Sequence, residues 1–171
     1  FFDTYDVDTL SFTGTEVYLP SGSPVDIQFD DKLKLLVGVD TDDSGNVGVY
    51  AYNLKSAVRT LIVVLPNVEG VDESQTCVYD QSNHIYYVSV ITPRGSSYYV
   101  VDVQAKKILK NLVVKDFVQN AVFDPITNKL YGIYNISTFA SLDLTSGSIQ
   151  TFPSLNFGRV GFRELNTATY D

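Results

Sequence analysis

An all-β fold made of repeated blades, each of four antiparallel strands, is predicted by three features of the sequence. An aromatic residue followed by Asp recurs at Phe29-Asp30, Tyr79-Asp80, Phe123-Asp124 and Tyr170-Asp171, at intervals of about 44 to 50 residues, the period of repeated all-β units such as propeller blades. Short runs rich in Val, Ile, Tyr and Phe alternate with turn signals drawn from Gly, Pro, Asn, Asp and Ser. No stretch sustains a helical period.

Each unit opens with strand a, expected at 25–29, 76–79, 120–123 and 167–170. These runs end on the aromatic or its Asp and are followed by polar segments with turn chemistry: Asp30-Asp31-Lys32, Gln81-Ser82-Asn83 and Pro125-Ile126-Thr127-Asn128-Lys129. Strand b follows at 33–39, 85–91 and 130–134, and strand c at 47–53, 97–103 and 139–144. An Asp or Asn recurs near the end of strand c, at Asn53, Asp102 and Asp143. Strand d completes the unit at 60–65, 108–114 and 149–152. The N-terminus fits the same frame, with a strand c at 1–7 and a strand d at 10–19.

These boundaries divide the chain into a partial blade at 1–24, blades at 25–71, 72–118 and 119–160, and the first strand of a next blade at 161–171. That is about three full blades plus parts of a flanking blade at each end, one strand short of four closed blades. The expectation is an excerpt of a longer propeller, with completion by another polypeptide as the alternative, because closure removes the exposed edges of a sheet. A chain without Met that begins Phe1-Phe2 reads the same way, as an excerpt or as a product from which a secretory signal has been cut.

Composition narrows the function. The 171 residues are 44% apolar, enough for a real core. A formal charge of −8 repels a phosphate backbone, so nucleic acid is excluded as a partner. The basic residues stand singly, and the longest aliphatic run, 61–65, is far too short to span a membrane. With Cys77 as the single cysteine no intramolecular disulfide exists. Asn135-Ile136-Ser137 is a glycosylation acceptor triplet, which with the truncated start points to an extracellular or cell-surface location.

The repeat resembles the surface-type propellers of the YVTN family, in which a blade shows a Tyr or Phe, Asp-Pro, a polar turn and a Leu-Tyr pair. Phe123-Asp124-Pro125-Ile126-Thr127-Asn128-Lys129-Leu130-Tyr131 carries the pattern most fully, and Tyr79-Asp80-Gln81-Ser82-Asn83-His84-Ile85-Tyr86 is similar to it. The first unit departs, with Leu35 at the aromatic position. The resemblance implies a propeller architecture of the seven-bladed kind. The absence of Trp disfavours a WD40 assignment.

Chemistry-bearing residues are few. The aromatic-Asp pairs are read as structural, the carboxylate accepting backbone N–H groups of the next turn while the ring fills space between blades. Asp40-Thr41-Asp42-Asp43-Ser44-Gly45-Asn46 resembles the front half of a calcium loop, with Asp40, Asp42 and Ser44 as candidate ligands and Gly45 at the sharp turn. Its distal carboxylate is missing. His84, beside a turn, has no nucleophile elbow to serve, Cys77 reads as a buried small residue, and no catalytic residue or organic cofactor is predicted. Tyr86-Tyr87 and Tyr98-Tyr99 place one ring on each sheet face, so one of each pair is expected at the surface for sugar or protein contact. The function expected is a non-enzymatic module that binds protein or glycan, or an assembly unit pairing with copies of itself or with the rest of a propeller. The alternative is part of a propeller hydrolase or lyase whose catalytic residues lie in other blades.

Overall fold

Fifteen strands carry the fold in a computed structural model that describes residues 2–6, 11–17, 24–53, 55–56, 58–71, 77–135 and 137–156. Among them no helix occurs, and hence none long and apolar enough to cross a membrane. The chain divides into two compact units, 1–64 and 65–171.

The first unit begins with an antiparallel hairpin of β1 (Phe2–Asp6) and β2 (Ser11–Val17). A meander follows: β3 (Val25–Asp30), β4 (Leu35–Thr41), β5 (Val47–Asn53) and β6 (Val58–Val64) form a four-stranded sheet in sequence order. Consecutive residues of β4 and β5 are buried, Val37 to Asp40 and Gly48 to Tyr52, so the inner strands are covered on both faces.

The second unit holds two sheets. β7 (Gly70–Val71), β8 (Val78–Asp80), β9 (Ile85–Thr92), β10 (Gly95–Asp102) and β11 (Lys107–Val113) form one, with β7 and β8 pairing along the same edge of β9. The other is the meander β12 (Gln119–Asp124), β13 (Lys129–Tyr134), β14 (Thr138–Asp143) and β15 (Ile149–Asn156). Their shared core contains Val78, Tyr87, Tyr98 and Val100 from the one and Leu130 and Leu142 from the other, closed by Val114, Phe117 and Val118 of the connection. Rings interlock there, Tyr98 meeting Phe117 edge-on at 5.4 Å and Tyr87 meeting Phe123 at 5.2 Å. The first strands β8 and β12 approach each other. Face-to-face packing of four-stranded meanders is the way neighbouring blades pack.

The first strand of each sheet is interrupted at one place. Register slips between Val25 and Gln28 in β3 and between Gln119 and Val122 in β12, where Asp26 and Asn120 take left-handed φ values of 50° and 48°. In the middle sheet β7 and β8 pair with β9 on either side of Val88 and Ser89. The partner strands differ at this place. Eight residues after the turn Asp stand Gly38 and Gly132, and in the middle sheet Val88. A Cβ on Gly132 would lie 2.5 Å from Gln119 O and 2.8 Å from Val118 Cγ1, closer than atoms can pack, so the bulge of β12 needs glycine at this place. Gly38 is less tight, its nearest neighbour being Val25 O at 3.3 Å.

Gly70 and Val71 hydrogen-bond into the middle sheet, and the predicted strand a at 167–170, with Tyr170-Asp171, lies outside the described residues. Burial of the tyrosine pairs is a correction to the sequence reading. Tyr86, Tyr87, Tyr98 and Tyr99 are all buried, because both faces of β9 and β10 are covered, and the Tyr99 hydroxyl donates to Pro66 O at 2.6 Å. No ring of these pairs is left for a ligand.

Gly132→Ala is expected to lower stability by about 1–3 kcal/mol through overpacking. Gly38→Ala should cost visibly less. Equilibrium urea denaturation of both variants checks the order.

Candidate functional site

One turn is used at the end of every sheet. The Asp closing β3, β8 and β12 is followed by four residues, and the fourth is left-handed: Lys34 (φ 55°), His84 (φ 56°) and Asn128 (φ 53°). The turn after strand c repeats it, with Lys106 (φ 53°) four residues after Asp102 and Gly147 (φ 76°) four after Asp143. In each case the carboxylate or amide oxygen at the strand end accepts the amides that the turn exposes. Asp30 Oδ1 accepts from Leu33 N at 2.8 Å, Asp80 Oδ1 from Ser82 N at 2.9 Å, and Asp124 Oδ1 from Ile126 N at 2.9 Å. Asn53 Oδ1 accepts from Lys55 N and Ser56 N, Asp102 Oδ1 from Ala105 N, and Asp143 Oδ1 from Thr145 N and Ser146 N. Asp80 Oδ2 also takes Asn83 Nδ2, and Asp124 Oδ2 the Thr127 hydroxyl.

The two turns are tied together across the sheet end. Val103 N donates to His84 O at 3.0 Å, and Leu144 N to Asn128 O at 3.1 Å. His84 therefore holds a backbone position. The repeated carboxylates are committed to turns, as expected of residues that every unit needs.

Departures from the repeat are the better guide to function. Within the first sheet, Asp40, Tyr52 and Arg59 form a buried polar cluster: Tyr52 Oη donates to Asp40 Oδ2 at 2.7 Å, and Arg59 Nη2 lies 3.1 Å from the same oxygen. The guanidinium sits 3.8 Å above the Tyr50 ring and also donates to Thr41 O. Burial, and then the Asp40 carboxylate, push the Tyr52 hydroxyl well above the ordinary tyrosine range. Counting Asp40 from the Asp that ends the first strand, and Tyr52 and Arg59 from the Asn or Asp that ends strand c, their places are taken by Val90, Val101 and Ile108 in the middle sheet and by Tyr134, Leu142 and Ile149 in the last. A blade can therefore be built without this cluster.

The segment predicted as a calcium loop is the hairpin between β4 and β5. Asp40 Oδ2 is engaged by Tyr52 and Arg59, and Oδ1 accepts from Thr41 N at 2.8 Å. Asp42 closes the tip, Oδ1 accepting from Ser44 N and Asn46 N and Oδ2 from Asn46 Nδ2, with Gly45 left-handed at 83°. The Asn46 side chain, and then its backbone amide, hold the Asp42 carboxyl below the usual range. Ser44 is exposed. Among the described residues no group of three or more His, Cys, Asp or Glu side chains is placed to hold a metal ion. Cys77 is buried, with Sγ 3.3 Å from Ser89 Oγ, and Asn135 is exposed at the hairpin between β13 and β14 with φ 48°.

Sequence reasoning missed Arg59, because its partner Asp40 lies two strands away. The readable signal was a basic residue in a strand position that the other units fill with Ile.

These features define an all-β chain of blade-like sheets, the architecture of propeller proteins. It is similar in fold to TolB from Acinetobacter baumannii (TM-score 0.58, 13% identity, 87% of this chain and 36% of that one). It is also similar to the Pyrococcus horikoshii acylaminoacyl peptidase (TM-score 0.56, 7% identity, 87% of this chain and 29% of that one). The chain thus spans about a third of the length of these solved structures. No protein-family model and no curated protein matches it.

Asp80→Ala should cost about 1–3 kcal/mol, since it removes the buried carboxylate that gathers the amides of its turn. The carboxyls of Asp124 and Asp143 are held below the usual range, the first chiefly by the Thr127 hydroxyl and the second by the Ser146 amide. Their folded pKa lies under the unfolded one, so their stabilisation is present above about pH 4 and is lost as pH falls through the folded value. Urea midpoints between about pH 5 and pH 2 should fall less steeply for Asp124→Asn than for the wild type. Calcium at the β4–β5 tip would have to displace Tyr52 and Arg59 from Asp40. The expected result of a millimolar calcium titration is an unchanged thermal midpoint.

Proposed function

We propose that this chain is a non-enzymatic propeller module of the YVTN type that binds a protein partner and works outside the cell or at its surface. The observation that carries the reading is the exposed aliphatic side chains of β6 and β11. Val58, Leu61 and Val64 of β6 are 52%, 43% and 42% exposed, and Leu109 and Val113 of β11 are similarly open. Exposed aliphatic side chains concentrated on one strand are the mark of an interaction surface. Glycan is the second partner class, and burial of the tyrosine pairs disfavours it, since sugar contact uses exposed rings. The extracellular location is supported by the exposure of Asn135 in its acceptor triplet.

The test is a panel of ester, peptide and glycosidic substrates offered with and without divalent cations, run beside a glycan array. No turnover and no glycan binding is the expected result. Sustained turnover would replace this reading with that of a hydrolase or lyase piece, and selective glycan binding would move the partner to the sugar class. Intact mass after expression in a secreting eukaryotic host reports on Asn135.

A further inference from the structure

We infer that the segment 162–171 of this same chain docks on the face of the last sheet opposite the shared core, with the Tyr170 ring on Tyr131 and the Phe162 ring on Phe139. The inference stands independently of the partner proposed above. Alternation along β13 puts Leu130 on the side of the shared core and Tyr131 on the opposite side. Across that opposite face run three half-buried rings, Tyr131 on β13, Phe139 on β14 and Phe152 on β15, with centroids 6.3 Å and then 5.9 Å apart. Such a row of rings is a large apolar surface whose burial is favourable.

The middle sheet shows how a face of this kind is covered. Tyr87 stands seven residues after the turn Asp80, as Tyr131 does after Asp124, and Tyr98 stands four before Asp102, as Phe139 does before Asp143. Both middle-sheet rings are met by the chain that comes next. Phe117 of the connection touches Tyr98 edge-on, and Phe123, from the aromatic-Asp pair, touches Tyr87. After the last sheet the next aromatic-Asp pair is Tyr170-Asp171, and Phe162 stands eight residues before Tyr170 where Phe117 stands six before Phe123. The same two rings follow in the same order.

Receiving and incoming rings also match in number along the repeat. In the first sheet the two receiving positions are Val37 and Val49, and between Asn53 and Asp80 there is one ring, Tyr79. In the middle sheet they are Tyr87 and Tyr98, and between Asp102 and Asp124 there are two rings, Phe117 and Phe123. In the last sheet they are Tyr131 and Phe139, and beyond β15 come Phe157, Phe162 and Tyr170. Length permits the return, since the stretch from Asp143 to Asp171 is longer than that from Asp102 to Asp124. Thr167-Ala168-Thr169-Tyr170 carries no charge that docking on the rings would have to desolvate. Covered in this way the face is interior, and the exposed aliphatic side chains of β6 and β11 remain for a partner.

A double-mutant cycle by equilibrium urea denaturation of the full chain is the experiment. Tyr170→Ala should lower the midpoint, and most of that loss should vanish in the Tyr131→Ala background, a coupling of roughly 2- to 10-fold in the unfolding equilibrium constant. Tyr87→Ala with Phe123→Ala supplies the reference coupling, and Tyr170→Ala with Tyr87→Ala should be additive. The midpoints should not depend on protein concentration, as for a contact within one chain. Should a tyrosine variant fail to fold, nuclear Overhauser contacts in the wild type decide: the Tyr131 and Tyr170 rings must show them. No effect of Tyr170→Ala, additivity with Tyr131→Ala, or absence of those ring contacts overturns the inference. A coupling that grows with protein concentration overturns it as well, by seating Tyr170 of another copy on the face.

Discussion

A carboxylate at the end of a strand, accepting the backbone amides of the turn it introduces, is the constraint on which the blades depend. Four-residue connections leave several N–H groups pointing at the strand end, and the Asp or Asn there gathers them. That lets the last turn residue go left-handed even when it is Lys34, His84 or Lys106, where a side chain costs roughly 1–2 kcal/mol. The His84 and Asn128 carbonyls, presented by this conformation, then receive the amide that opens the second turn. Register of the whole meander follows from those two ties.

Much of this was legible in the sequence. The aromatic-Asp period located the turns, and alternation of apolar runs with polar turns located the strands, because both signals are local. The structural role assigned to Asp30, Asp80 and Asp124 follows from their recurrence. The left-handed slot was also present, as a constant spacing of four, but it is filled by Lys, His, Asn or Gly and so has no residue signature. Strand a of the middle sheet, expected at 76–79, is β8 at Val78–Asp80, and the pairing of Gly70 and Val71 with the same strand β9 has no local signal in the sequence.

The polar cluster of the first sheet was only half visible. In the sequence Asp40 stands beside Asp42 and Ser44, a spacing that suggests an ion at the tip. Its true contacts are Tyr52 across the hairpin and Arg59 on the far strand, and a pair separated by register is invisible until the strands are laid side by side. The tyrosines misled for a related reason. Alternation tells which face a ring occupies, and says nothing of whether that face is covered. For Tyr98 and Tyr99 both faces are.

The left-handed turn residue has a kinetic consequence. Every connection that uses it joins strands adjacent in sequence, so the contacts that set register lie within about twenty residues of one another and can form before distant parts of the chain meet. Chain collapse then has preformed hairpins to assemble, and damage to one tip slows the ripening of its own sheet without scrambling the order of the others.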